Sequence, residues 1–250
     1  YLYYTYRSEG NNTLNRVARY RFENDKLIEG KIIVDRIPGA PNHDGGRIKF
    51  GPDGFLYITT GDAQEPSLSQ DRNSLAGKIL RVTRDGNLAR GNPFGTRIYS
   101  YGHRNPQGIT WDNNGRLWSM EHGSSATDEL NLIEPGKNYG WPEIRGEQTR
   151  TGMVSPVIQS GSQTWAPGGT AFLARSIFFG GLRSETLYEY RINEHKLTEH
   201  LKNKYGRIRD VVLGPDGMLY ATTSNRDGRG NPRAGDDRIL KINPQKLSEL

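Results

Sequence analysis

The sequence contains no cysteine, which excludes disulfide bridges, thiolate zinc sites and cysteine nucleophiles. No apolar run approaches the roughly 20 residues that a membrane-spanning helix needs, and no signal peptide is visible. Long amphipathic helical periodicity is also missing, apart from a short stretch near residues 243–250. The net charge is +6, but lysine and arginine are interspersed with acids and form no dense basic run. This pattern disfavours nucleic acid as a partner and suits an anionic small molecule or an acidic surface.

Turn residues are abundant, with 31 glycines and 13 prolines but no glycine period. One hairpin formula recurs, in which a strand leads through an Asp/Asn-Gly turn into a second strand with an aromatic residue. The copies are RIKFGPDGFLYITTGD (47–62), GITWDNNGRLWSMEHG (108–123), DVVLGPDGMLYATTSN (210–225) and a degenerate one at 170–192. Further strands are predicted at 77–83, 128–133 and 237–242. Repeated short hairpins favour an all-β propeller, and a β-sandwich is the alternative.

The beginning of the chain is unusual for a closed propeller. YLYYTY (1–6) starts inside a predicted strand, and about four to five blades can be counted from the repeats. An open blade would expose a sheet edge and an apolar face, so we expect that an N-terminal segment is missing from this chain. No linker-like composition divides the sequence, which predicts a single domain over residues 1–250.

Two loops carry polar residues that a turn does not require. Loops at one mouth of a propeller converge, so such residues can meet there although they are far apart in sequence. His43 lies in NHDGG (42–46), where it is either a catalytic imidazole or a solvated loop residue. YGHRNPQG (101–108) is rich in polar donors, and Pro106 would stiffen their presentation. An ordinary surface turn with an exposed arginine is the alternative for this second loop.

A third loop, EHGSSATDELNLI (121–133), could hold a hard cation such as calcium. Its glycine-centred turn offers backbone carbonyls, and Glu121, Asp128 and Glu129 offer carboxylates. The spacing does not fit the twelve-residue helical calcium loop. These acids could equally well be capping and turn residues, and the sequence leaves both interpretations open.

The fourth candidate is a pair of arginines in YGRIRDVVLGPDG (205–217). Arg207 and Arg209 are two residues apart at the start of a predicted strand, so both face the same side. Two adjacent guanidinium groups repel each other unless an anion lies between them, which suggests a carboxylate or phosphate ligand. A solvated strand edge carrying two arginines is the alternative.

In combination, these stretches resemble the soluble glucose/aldose sugar dehydrogenases that depend on pyrroloquinoline quinone (PQQ). The matching blocks follow the family order from about residue 40 onward and cover nearly the whole remaining chain. They are NHDGGRIKFGPDGFLYITTGD, GKILRV, YGHRNPQG, EHG with DELNLI, GKNYGWP, TWAP and RIRDVVLGPDG. The resemblance implies a six-bladed propeller of four-stranded antiparallel blades, with the first blade region missing here. It also implies PQQ and Ca²⁺ as cofactors.

The resemblance assigns roles residue by residue. His43 matches the general base that takes the proton from the anomeric hydroxyl of the sugar while hydride passes from C1 to the quinone. Arg104 matches the arginine that stabilises negative charge on the quinone oxygen. The carbonyls of Gly123 and Ser124 match the calcium ligands. Cofactor contacts are implied for Asn105, Gln107, Thr164, Arg183, Arg207 and Arg209.

Three positions depart from the family pattern. Asn42 stands where the bacterial glucose enzyme has an aspartate before its base, which affects the orientation and basicity of His43. Ser124 and Ser125 replace a pair that commonly contains proline, although a carbonyl ligand requires no particular side chain. Arg183 occupies the place of a lysine that contacts the cofactor, so the charge is kept while reach and geometry change.

The implied function is oxidation of the C1 hydroxyl of aldose sugars to the lactone, with electrons passed on to an external acceptor. The resemblance further implies a periplasmic or extracellular protein, a monomer or a homodimer, without a membrane span and without nucleic acid. Two alternatives stay open. One is a calcium-dependent propeller lactonase or other hydrolase, and the other is a non-catalytic ligand-binding propeller.

Overall fold

The protein is described by a computed structural model that covers residues 1–249, with side chains up to residue 247. Within this range the chain forms eighteen strands in five antiparallel sheets, each built from three or four consecutive strands. The chain divides into two compact units. The first unit comprises Tyr1–Pro106 and Ile133–Ser155, and the second comprises Gln107–Leu132 and Pro156–Leu250.

The first unit contains two sheets, one of three strands and one of four. Apolar side chains from both sheets are buried in a common core, in which Val17 and Ile37 accompany Ile58, Leu80 and Ile98. The three-stranded sheet has the order β1 (Leu2–Arg7), β2 (Thr13–Glu23) and β3 (Lys26–Pro38). The four-stranded sheet has the order β4 (Ile48–Phe50), β5 (Leu56–Thr60), β6 (Lys78–Val82) and β7 (Ile98–Tyr101).

The hairpin β4–β5 forms as its turn residues predict. The Gly54 N–H donates to the Gly51 carbonyl at 2.9 Å, and the Gly51 N–H donates to the Phe55 carbonyl at 2.9 Å. Gly54 has a φ of 77°, which costs glycine little because it has no Cβ. The Asp53 carboxylate accepts from the Phe55 N–H at 3.2 Å. Local turn chemistry therefore determines where this hairpin reverses.

The second unit contains three sheets. Two apolar clusters lie among them, one around Trp118, Met120 and Phe179 and the other around Ile208 and Leu219. The first sheet has the order β11 (Ile158–Gln159), β10 (Glu129–Ile133), β9 (Leu117–Glu121) and β8 (Pro106–Trp111). The second has the order β12 (Pro167–Leu173), β13 (Ser176–Gly181), β14 (Thr186–Arg191) and β15 (Lys196–His200). The third has the order β16 (Ile208–Leu213), β17 (Leu219–Thr223) and β18 (Ile239–Ile242).

Helical structure in the described range is limited to short 3₁₀ helices. They span Pro66–Ser69, Pro93–Gly95, Ile192–Glu194 and Pro244–Glu249. The last of these matches the short helix predicted near residues 243–250, of which residue 250 lies outside the described part. Among residues 1–249 no helix has the length and apolar character needed to cross a membrane.

The structure confirms the all-β prediction and the organisation into blade-like sheets of consecutive antiparallel strands. It corrects the expectation of uniformly four-stranded blades, because the sheets β1–β3 and β16–β18 have three strands in the described range. The structure describes five sheets; the count of six blades, the missing N-terminal blade and the single domain stay predictions.

Candidate active site

The four-stranded sheet of the first unit brings three polar residues to one end. In a sheet of four consecutive antiparallel strands, the connections into the first strand, between the second and third, and out of the fourth share an end. His43 lies before β4, Asp62 lies between β5 and β6, and Arg104 follows β7. The topology therefore gathers an imidazole, a carboxylate and a guanidinium group from distant parts of the chain.

The imidazole of His43 lies between the other two side chains. Its Nδ1 is 2.8 Å from Oδ1 of Asp62, and its Nε2 is 2.9 Å from Nη2 of Arg104. A guanidinium group can only donate hydrogen bonds, so Nε2 accepts and carries a lone pair. The network then assigns the proton to Nδ1, which donates to Asp62. This is the tautomer that a general base requires, with its lone pair on the nitrogen opposite the carboxylate.

Asp62, which the sequence analysis did not single out, contacts the predicted base His43 directly. Its side chain is only 1% exposed, and Oδ1 also accepts from the Gln64 N–H at 2.9 Å. Oδ2 accepts from Nε1 of Trp141 at 2.8 Å. Asp62 ends the stretch TTGD directly after β5, so its position at a strand end was an available signal. Both oxygens of this buried carboxylate are therefore held in place.

The backbone around His43 is closely fitted to the β5–β6 connection. His43 has a φ of 65°, in the left-handed region that few residues other than glycine adopt. Its carbonyl accepts from the Ala63 N–H at 3.1 Å. A Cβ on Gly61 would lie 1.8 Å from that carbonyl oxygen, so only glycine allows this approach. The strained backbone aims the His43 side chain towards Asp62.

The YGHRNPQG loop is hydrogen-bonded to Asp62 and to the loop that carries His43. The Asp62 N–H donates to the Arg104 carbonyl at 2.8 Å, and the Arg104 guanidinium lies over the ring of Trp141, 5.3 Å from its centroid. The buried Asn105 accepts through Oδ1 from the Gly45 N–H at 3.0 Å. The predicted proximity of His43, Arg104 and Asn105 is thus present within the first unit.

In the second unit, the loop predicted to hold calcium is organised by Asp128. This side chain is buried, and its carboxylate accepts from three backbone N–H groups: Gly123 at 2.9 Å, Trp165 at 2.6 Å and Ala166 at 2.8 Å. The capping interpretation therefore holds for Asp128. Glu121 and Glu129 are also buried and share the side-chain amide of Asn131, at 3.0 and 3.2 Å.

The donor set of this loop fits a hard cation held through carbonyl oxygens. Across residues 1–249, no group of three or more histidine, aspartate or glutamate side chains is placed to hold a metal ion. A Cβ on Gly123 would meet the carbonyl oxygens of Thr127 and Ala126 at 2.1 and 2.3 Å, so the turn closes only around glycine. Calcium accepts backbone carbonyl oxygens as ligands. Gly123 and Ser124, in a turn braced by Asp128, can supply them without a carboxylate.

Arg207 and Arg209 share a carboxylate partner, Asp227. Nη2 of Arg207 lies 3.0 Å and Nη2 of Arg209 lies 3.6 Å from Oδ2 of Asp227. Burial raises the pKa of Asp227, but hydrogen bonds from the Arg229 N–H, Arg207 and Ser224 outweigh it and hold that pKa below its ordinary value. Asp227, which the sequence analysis did not consider, is therefore the charge that allows the two guanidinium groups to lie together. The pair by itself does not require a ligand anion.

The remaining predicted contacts also lie in the second unit. Thr164 precedes Trp165, whose N–H is held by Asp128 and whose carbonyl accepts from the Arg183 N–H at 3.1 Å. Arg207 donates through Nη1 to the Leu182 carbonyl at 3.3 Å, next to the exposed Arg183. Gln107 lies at the beginning of β8 and is half-buried. Main-chain and side-chain hydrogen bonds thus link the loops that carry Thr164, Arg183 and Arg207.

Comparison with known proteins identifies relatives over most of the chain. The profile described as Glucose / Sorbosone dehydrogenase matches residues 1–239. A structure of the PQQ-bound aldose sugar dehydrogenase from Streptomyces coelicolor is 43% identical and superimposes with a TM-score of 0.87, covering 96% of this chain and 73% of that one. Quinoprotein glucose dehydrogenase B from Acinetobacter calcoaceticus is 33% identical over 167 residues, which is 58% of this chain and 35% of that protein.

Aldose sugar dehydrogenase YliI from Escherichia coli is 35% identical over 256 residues. The match covers 88% of this chain, and the chain spans 66% of the length of that relative. The family profile, the sequence relatives and the structural neighbour all indicate the same family. The chain belongs to the glucose/sorbosone dehydrogenase family.

Proposed function

We propose that this protein is a quinoprotein oxidoreductase that oxidises the C1 hydroxyl of aldose sugars to the lactone. Membership of the glucose/sorbosone dehydrogenase family supports the reaction class, and the PQQ-bound structural neighbour supports the cofactor. The observation that carries the proposal is the position of His43, with Asp62 on one ring nitrogen and Arg104 on the other.

His43 would act as the general base of this reaction. The Nε2 atom of His43 would take the proton of the C1 hydroxyl. In this structure its lone pair accepts a hydrogen bond from Arg104. Asp62 would hold the ring in this tautomer and stabilise the positive charge that the imidazole gains. Imidazole is suited to the task because it exchanges protons near neutral pH.

Arg104 would supply positive charge beside the base. Oxidation of an alcohol transfers a hydride, and a guanidinium group can stabilise negative charge that develops only during transfer. The main-chain bond from Asp62 and the ring of Trp141 position Arg104, and its guanidinium would have to release Nε2 of His43 before that nitrogen accepts the proton. Asn105, bonded to the His43 loop through Gly45, is proposed as a neighbouring cofactor contact.

When bound, PQQ would accept the hydride and Ca²⁺ would act on it as a Lewis acid. The carbonyls of Gly123 and Ser124 are proposed to hold the calcium ion. In the same unit, the arginines would meet the carboxylates of the anionic cofactor, where they would share their donors with Asp227. The proposed cofactor contacts in this unit are Gln107, Thr164, Arg183, Arg207 and Arg209.

The partners of the proposed reaction are an aldose sugar and an external electron acceptor. The names of the relatives, which include aldose sugar and glucose dehydrogenases, support the sugar class. We propose a periplasmic or extracellular location and a monomeric or homodimeric state, on the strength of the family resemblance.

The proposal is tested by loading the chain with PQQ and Ca²⁺ and following the reduction of a redox dye by aldoses. We expect aldose-dependent reduction, with kcat lowered at least 100-fold in His43→Ala and about tenfold to 100-fold in Asp62→Asn, because the base is lost or misaligned. His195→Ala is the matched control, since His195 is an exposed residue in a turn after β14. It should keep the wild-type rate.

Three outcomes would contradict the proposal. Dye reduction that is unchanged in His43→Ala would remove the base from the mechanism. Lactone hydrolysis by the chain without PQQ, together with no aldose oxidation, would favour the hydrolase alternative. PQQ binding without either activity would favour a ligand-binding protein.

A further inference from the structure

Trp141 contacts both neighbours of His43 within the first unit. Its indole N–H donates to Oδ2 of Asp62 at 2.8 Å, and the Arg104 guanidinium lies 5.3 Å from the centroid of its ring. Asp62 and Arg104 in turn contact the two nitrogens of His43. The four side chains therefore form a closed circuit in which Trp141 lies opposite the imidazole.

Main-chain contacts hold Trp141 in this position. Its N–H donates to the Gly102 carbonyl at 2.9 Å, and its carbonyl accepts from Nε2 of Gln70 at 2.7 Å. Gln70 also exchanges side-chain hydrogen bonds with Asn138, at 3.0 and 2.7 Å. The backbone of Trp141 is thus fixed to the end of β7 and to the β5–β6 connection. This fixes the position from which the indole contacts Asp62 and Arg104.

We infer that Trp141 is a positioning residue for the proposed base, aligning Asp62 through its N–H and Arg104 through its ring face. The inference deepens the proposed function and rests on it. Oδ1 of Asp62 serves His43 and the Gln64 N–H, while Oδ2 has the indole as its described partner. Loss of the indole N–H would leave one oxygen of a buried carboxylate without its donor, which would allow the carboxylate to rotate.

The chain provides a matched control in Trp118. Its indole N–H also donates to an aspartate, Oδ2 of Asp112 at 3.0 Å, and its side chain is buried. Asp112 lies in the β8–β9 turn and takes no part in the proposed chemistry. Trp141→Phe and Trp118→Phe therefore remove the same kind of hydrogen bond and keep an aromatic ring at each position.

The first measurement is steady-state kinetics of the PQQ-loaded and Ca²⁺-loaded chain. We expect Trp141→Phe to lower kcat about tenfold with little change in KM, whereas Trp118→Phe should keep the wild-type kcat. The double variant Trp141→Phe/Asp62→Asn should be no slower than Asp62→Asn alone, because the indole acts through that carboxylate. Additive losses of kcat in the double variant would show that Trp141 does not act through Asp62.

The second measurement does not depend on cofactor or activity. Long-range ¹H–¹⁵N spectra of the labelled chain without cofactor report the tautomer of each of its five histidines, and His43→Ala assigns the His43 signal. We expect His43 to carry its proton on Nδ1 in the wild type and in Trp118→Phe, and to populate both tautomers in Trp141→Phe. An unchanged His43 tautomer in Trp141→Phe would overturn the inference. If the wild type oxidises no aldose, the proposed function fails, but these spectra still decide the role of Trp141.

Discussion

At the scale of single residues, Lys78 is an unusual feature of the first unit. This lysine begins β6 and is fully buried. Its ammonium group donates to three backbone carbonyls: Leu68 at 2.8 Å, Ser69 at 3.1 Å and Ala76 at 2.5 Å. Three donors thus meet three acceptors, which offsets part of the cost of burying a charge. Burial lowers the pKa of Lys78 to about 7, although Asp71 acts in the opposite direction.

This residue predicts a pH-dependent stability. In the unfolded chain the Lys78 amine titrates at about 10.4, whereas burial lowers its pKa to about 7 in the folded protein. Between these values the unfolded state binds more protons, so the free energy of unfolding should rise as pH increases from about 7 towards 10. We expect a contribution of roughly 1 to 3 kcal/mol, measured by urea unfolding at several pH values.

The variants Lys78→Met and Lys78→Gln test whether Lys78 causes this dependence of the free energy of unfolding on pH. Neither methionine nor glutamine titrates, so in both variants the free energy of unfolding should rise less between about pH 7 and 10. Both variants should be less stable overall, because backbone carbonyls lose hydrogen-bond donors. Equal slopes in the wild type and in both variants would show that the buried amine does not titrate in this range.

At the scale of structural elements, Asp128 joins two connections of the second unit. It stands directly before β10, and its carboxylate holds the N–H of Gly123 in the β9–β10 connection. The same carboxylate holds the N–H groups of Trp165 and Ala166 before β12. One buried side chain therefore determines the course of the loop proposed to bind calcium and of the TWAP loop.

Asp128→Asn should loosen both connections. An amide has one acceptor oxygen in place of two, so at least one of the three backbone N–H groups loses its partner. We expect a loss of about 2 kcal/mol in the free energy of unfolding. We also expect weaker Ca²⁺-dependent PQQ binding, measured by isothermal titration calorimetry.

Asp53→Asn is the matched control for this element. Asp53 also accepts from a backbone N–H, that of Phe55, and its Oδ2 accepts from Tyr57 and Arg81, but it lies in the exposed β4–β5 turn, where an ion pair contributes little. Its replacement should cost less than about 1 kcal/mol and leave PQQ binding unchanged. An Asp128→Asn protein as stable as the wild type would show that the carboxylate does not organise the loops.

Strands could be predicted from sequence because turns are encoded locally. The structure places β6 within the predicted stretch 77–83, β10 within 128–133 and β18 within 237–242. Partners of buried polar groups could not be predicted in this way. The bond between Asp62 and Trp141 spans 79 residues, and the bond between Arg207 and Asp227 spans 20. Such pairs depend on how strands bring loops together, which no local pattern reports.

At the scale of the whole molecule, the chain carries 34 basic and 28 acidic residues, a balance that suits an anionic cofactor. Among the motifs that indicated the family, NHDGG and NYGWP lie in connections between strands, and GHRNPQG leads from a connection into β8. Apolar strands by themselves are a scaffold that many proteins share. Family membership was therefore predictable from loop motifs. The support given to His43 by Asp62 and Trp141 was not, since it emerged only from the folded arrangement.

The proposed role of His43 as the base for oxidation of an aldose by bound PQQ has a spectroscopic test. Anaerobic absorption spectra of the chain loaded with PQQ and Ca²⁺ are recorded before and after addition of an aldose. We predict that the sugar converts the quinone spectrum to that of the reduced cofactor in the wild type. In His43→Ala the cofactor should bind equally well and its spectrum should remain oxidised on the same timescale. Reduction at the wild-type rate in His43→Ala would contradict this role.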